Sequence, residues 1–138
     1  MRILVATLIV GGGLLTMSIA EAQQPAAPAS DPNFTGVVTT MDAKDISGGR
    51  RTFEASARTA WHSHDKGQLI LAEKGRMRTG RRGQGYKEYD EGGSEYTPPN
   101  VEHWHGATPA GPLTQVNIQF GGTTKWLVKT TDGEYNRK

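Results

Sequence analysis

The chemistry of this chain is concentrated in its four histidines, which fall in two His-x-His pairs, His62/His64 and His103/His105. Alternate side chains of a β-strand share one face, so each pair can aim two imidazoles the same way. Divalent transition ions draw several ligands from one side of a cavity and favour imidazole nitrogen among neutral donors. Three imidazoles and one oxygen converging inside a small β-fold would make a metal site. A histidine taken singly is more often a partly buried polar side chain; it is the paired spacing that points to a metal. The chain contains no cysteine. Disulfides, thiolate zinc sites and cysteine nucleophiles are thereby excluded. No glycine-rich phosphate loop, catalytic-serine motif or paired-carboxylate signal is visible.

The elements that must position these side chains read as short strands. Thr35 to Met41 is β-branched and reads as a strand. Asp42 to Gly49 is polar and ends in a Gly-Gly turn signal. Arg50 to Ala55, Ala60 to His64 and Gly67 to Glu73 follow as strands. Arg76 to Glu91 suggests a hairpin around Thr79 to Gly85, and Ser94 to Thr97 a short strand before the Pro98-Pro99-Asn100 corner. Val101 to Ala107 carries the second histidine pair. Leu113 to Phe120 alternates, with Gln115, Asn117 and Gln119 on one face and Val116, Ile118 and Phe120 on the other. Lys125 to Lys129 is the last strand, followed by a polar tail. Short strands separated by Gly and Pro turns, with no 3.6-residue apolar repeat beyond the N-terminus, predict an all-β barrel or sandwich.

At 138 residues, 35% of them hydrophobic, the chain allows one domain with a modest core. The 16 basic residues nearly balance the 14 acidic ones, so net charge gives no argument for nucleic acid. The basic run Lys74, Arg76, Arg78, Arg81 and Arg82 is broken by glycine and reads as a solvated hairpin. Met1-Arg2, the apolar run Ile3 to Ile19 and Ala20-Glu21-Ala22 have the form of a cleaved secretory signal over residues 1–22. An uncleaved anchor is the competing reading. Residues 23–32 then form a Pro/Ala-rich linker and 33–138 the folded domain, periplasmic or secreted, free of the membrane after cleavage.

The spacing also carries a resemblance. One motif of the cupins, the small metal-binding β-barrel (double-stranded β-helix, or jelly-roll) superfamily, runs Gly-x5-His-x-His-x(3,4)-Glu-x6-Gly. It is matched by Ser56, His62, His64, Gln68 and Gly75. The second, Gly-x5-Pro-x-Gly-x2-His-x3-Asn, is matched by Gly92, Pro98, Asn100, His103 and Ala107. Ser56, Gln68, Asn100 and Ala107 replace the motif residues, and Asn tolerates the left-handed turn that a glycine supplies. More narrowly, Arg58-Thr-Ala-Trp-His-x-His-x-x-Gly-Gln68 and His103-Trp-His-Gly-Ala107 resemble bacterial manganese cupins with (R)-selective hydroxynitrile lyase activity, which use three His and one Gln.

That resemblance implies metal ligands His62, His64, Gln68 and His103, with His105 beside the metal as general acid or base. It also implies one divalent ion, manganese(II) first and iron(II) or another transition metal otherwise, a small-molecule substrate and a homodimer. A neutral Gln68 would leave the ion its full charge and a stronger pull on anions; a Gln68 turned away would leave a three-histidine site. Gln115, Asn117 and Gln119 would line the pocket. The lyases carry a further histidine where this chain has Gln115, and an amide cannot exchange a proton. The implied function is cyanohydrin-type C–C cleavage, with a metal-dependent dioxygenase or a non-catalytic periplasmic binder as alternatives. Trp61 and Trp104 should face away from the metal.

Overall fold

The structure is a computed structural model that describes residues 32–138. The expected signal segment and most of the linker lie outside the described residues. Residues 32–40 belong to an amino-terminal unit and contain no helix or strand. The strand expected over Thr35 to Met41 does not form: the segment bends at Thr35 and Gly36, the latter at φ 89°, and carries no regular structure beyond, with Val37 and Met41 exposed. β-branched residues favour a strand only where a neighbouring strand gives them something to pack on.

The second unit, residues 41–138, contains nine strands. They are β1 Ser47–Phe53, β2 Ala60–His64, β3 Gln68–Lys74, β4 Met77–Arg81, β5 Tyr86–Tyr89, β6 Ser94–Thr97, β7 His103–Ala107, β8 Leu113–Gln119 and β9 Thr124–Lys129. A four-stranded sheet in the order β1-β8-β3-β6 faces a five-stranded sheet in the order β5-β4-β7-β2-β9. The result is a two-sheet β-sandwich, one of the two forms that the strand pattern predicts, and not the closed barrel that the cupin resemblance implies. Every pairing among these strands is antiparallel, so alternation decides what each face sees.

The space between the sheets is divided lengthwise. One half is apolar: Ile70, Ala72, Met77, Ala107 and Leu113 pack with Phe53 and Tyr89. The other half receives the polar inward residues of the same strands, including Gln68, Gln115, Asn117 and the histidines. A second apolar cluster, Trp61, Trp104 and Tyr135 with Tyr86 and Leu127, covers the outer face of the five-stranded sheet. The two tryptophans alternate with the histidines and point away from them, as expected. Gly80 makes this packing possible: a Cβ there would lie 2.5 Å from the Trp104 indole nitrogen.

The polar tail contains an element that periodicity did not reveal, a one-turn helix α1, Asp132–Tyr135. Thr131 and Glu134 close it with a reciprocal capping box. The basic run is not a solvated hairpin throughout. Arg78 is 7% exposed, bound to Glu88 and stacked on Tyr86 and Tyr135. Arg81 turns inward beside His103, its register partner.

Candidate metal centre

Strands β2 and β7 lie side by side with His62 opposite His103, and this single register brings the two distant histidine pairs together. His62, His64 and His103 each offer a ring nitrogen, and these atoms lie within 4.8 Å of one another. All three residues are at most 3% exposed. Gln68 enters from the opposite sheet, its Oε1 2.9 Å from His103 Nε2, and its amide also interacts with His62 and His64. His105, one alternation beyond His103, sits beside the cluster with ring centroids 5.2 Å from His62 and 5.9 Å from His103.

The outer nitrogens fix the inner ones. His62 Nδ1 donates to the Ala60 carbonyl at 2.9 Å and His103 Nδ1 to the Val101 carbonyl at 3.1 Å, since a carbonyl can only accept. His64 Nδ1 pairs with Thr124 Oγ1 at 3.0 Å. The His62 and His103 rings therefore turn their Nε2 lone pairs inward, the arrangement by which second partners orient metal-ligating imidazoles, and His64 does the same when its Nδ1–H donates to the Thr124 hydroxyl. The buried His64 Nε2 finds no hydrogen-bond partner. His103 Nε2 faces Gln68 Oε1, so two lone pairs oppose each other at hydrogen-bond distance. Acceptors so placed match two ligands of one shared cation, and the residues present fit a divalent ion.

The electrostatics agree. Burial pushes the His62 imidazole down to about 4 and that of His103 to about 3, with neighbouring imidazoles adding to both. His64 is lowered by burial as well. His105 lies well below the ordinary histidine range, because burial dominates and the His62 and His103 rings reinforce it. Neutral rings are the form that binds metal.

Around this centre the inward amides take the places that alternation assigned. Gln115 is fully buried and Asn117 is 6% exposed, while Gln119 faces inward but is half-buried. Gln115 lies against the His105 ring without a well-formed hydrogen bond, and Asn117 Oδ1 has no hydrogen-bond partner. The structure adds four side chains that the sequence reading missed. Thr79 and Arg81 both hold Glu95, whose carboxylate is buried between the sheets. Arg51 faces inward opposite Gln115. Its phase was readable, because Phe53 two residues on must face the core.

The Granulicella tundricola protein "(R)-mandelonitrile lyase" is 34% identical to this chain over 113 residues, 75% of this chain and 86% of the relative. A cupin-like protein from Thermotoga maritima has the same fold, with a TM-score of 0.62 and 35% identity over 66% of this chain and 71% of that one. The chain belongs to the cupin superfamily. Oxalate decarboxylase from Bacillus subtilis, at 20% identity and a TM-score of 0.54 over 61% of this chain and 24% of the other, shares the cupin fold. No protein-family model matches the chain. In this cupin the left-handed backbone survives at both substituted motif glycines, with Ser56 at φ 65° and Asn100 at φ 61°.

Proposed function

We propose that this cupin is a metal-dependent lyase that cleaves a C–C bond in a small cyanohydrin-type substrate. The observation that carries this reading is the convergence of three buried neutral imidazoles and a neutral amide beside a fourth, unligated histidine. The 34% identity to a mandelonitrile lyase supports it. His62, His64, Gln68 and His103 would hold the ion, with manganese(II) the proposed metal. When bound, such an ion supplies Lewis-acid polarisation of a substrate oxygen, undiminished by any carboxylate ligand.

The remaining chemistry belongs to the chain. His105 is buried and neutral, and its Nδ1 has no hydrogen-bond partner. It can accept the hydroxyl proton of the substrate. The O–H electron pair then forms the carbonyl, the C–C bond to the nitrile carbon breaks, and cyanide leaves with the C–C bonding pair and takes the proton from His105. Gln115, where the lyase resemblance has a histidine, can orient the substrate but cannot share this proton transfer. His105 must therefore act alone. The protein loaded with manganese(II) should release benzaldehyde from mandelonitrile faster than the metal-free protein. His105→Ala should lower that rate 10²- to 10⁴-fold without weakening metal binding. Equal rates with and without metal would retire the reading.

A further inference from the structure

The inward face of the four-stranded sheet carries a positive charge that nothing in the described structure answers. Phe53 on β1 packs into the core and lies edge-on to His105 at 6.0 Å, so Arg51, two residues earlier, lies on the same face. Its register partner on β8 is the fully buried Gln115. The other strand arginines each hold a carboxylate: Arg50 holds Glu73, Arg78 holds Glu88 and Arg81 holds Glu95. Among the described residues the Arg51 guanidinium has no ion pair and no hydrogen bond.

No acid within the sandwich is free to neutralise it. Of the three glutamates on described strands, Glu73 and Glu88 face outward and Glu95 is already held by Thr79 and Arg81. Arg51 is exposed while its neighbour Gln115 is not. It therefore stands at the edge of the sandwich, where β1 has no neighbour on one side. Behind it lie the buried Gln115 amide, which touches His105 but completes no well-formed hydrogen bond, and the buried, unpaired Asn117 Oδ1. Buried polar atoms of this kind are costly unless a partner arrives.

We propose that Arg51, Gln115 and Asn117 together form a second subsite of this pocket, one that binds a small 2-hydroxy carboxylate. The guanidinium fork matches a carboxylate in two parallel hydrogen bonds. The Gln115 Nε2–H donors face the same anion. The oxygens of Gln115 and Asn117 accept from the ligand's hydroxyl, placing it toward the imidazoles. An uncharged ligand would leave Arg51 without a partner, so this subsite selects the anion. The assignment shares its pocket with the lyase reading without depending on it, and its test needs no turnover.

Calorimetric titration of the full-length protein, metal-free and manganese-loaded, with glycolate and with its uncharged analogue glycolamide decides the matter. Glycolate should bind at least tenfold more tightly than glycolamide. Arg51→Gln should lose that tenfold, about 1.4 kcal/mol, for glycolate alone and keep its manganese affinity. Arg51→Lys should retain most of the binding. Arg50→Gln, the same charge change on the outer face, should bind as the parent does. Equal affinities for the two probes, glycolate affinity unchanged in Arg51→Gln, or no glycolate binding to either form would overturn the proposal. Should mandelonitrile cleavage fail while these glycolate differences hold, the lyase reading falls and the carboxylate site stands.

Discussion

Gln68 decides how much charge the centre presents. Three imidazoles and an amide are all neutral, so nothing in that set offsets a divalent ion. Gln68→Glu would place a formal negative charge within reach of all three rings. Manganese affinity, measured by competition with a chelator, should rise at least tenfold, since opposite charges attract strongly in a buried site. Mandelonitrile cleavage should fall, because the carboxylate offsets the charge that polarises the substrate. Weaker metal binding would mean that Gln68 does not face the ion. Ser56 poses a different question, one of backbone alone. A left-handed residue bearing a Cβ is strained by roughly 1–2 kcal/mol, whereas a glycine gives back about 0.4–1 kcal/mol in the unfolded chain. Ser56→Gly should therefore stabilise by about 0.5–1 kcal/mol, raising the melting temperature by a few degrees.

At the level of elements, the strands were legible because alternation and Gly/Pro punctuation are local. The histidine spacing, the outward tryptophans and the inward amides of β8 all follow from a period of two. What could not be read was pairing. Thr35 to Met41 has the composition of a strand and no strand neighbour, whereas Ser47 to Gly49, dismissed as a turn, pairs with Asn117 to Gln119. The basic run misled for the same reason, because Arg78 is buried only when Tyr135 returns from the tail to cover it. Tyr135 is the buried anchor of that tail. Tyr135 is 2% exposed, its hydroxyl donates to the Ala107 carbonyl at 2.6 Å, and Arg58 and Arg78 each stack on its ring at 4.5 Å. Tyr135→Ala should cost about 3–5 kcal/mol and Tyr135→Phe about 1 kcal/mol, read from denaturant midpoints. A loss below 1 kcal/mol for the alanine variant would show the helix to be an ornament on a sheet that is stable without it.

For the sandwich as a whole, placing four histidines between two sheets ties stability to acidity. The unfolded chain binds protons at the ordinary imidazole value of about 6.5, whereas folded His62 resists protonation down to about 4 and His103 to about 3. Between those limits the unfolded state holds protons that the folded state refuses, so acid favours unfolding. The metal-free protein should show no histidine-driven change in melting temperature above pH 7, and a steady fall from pH 6.5 toward pH 4. Asp65, whose carboxyl is lowered chiefly by its bonds to Thr123, loses its contribution in the same direction but at still lower pH. Excess manganese should raise the melting temperature at pH 7, by about 2.7 kcal/mol of stability at a hundred times its dissociation constant. That increment must itself shrink with acid, since protons and metal compete for the same three nitrogens. Thermal melts from pH 4 to pH 8, with manganese and with chelator, should therefore give two curves that are separate at neutrality and converge in acid. Parallel curves would place the ion on groups other than these imidazoles, and a flat metal-free curve would mean that the rings are not shielded from water.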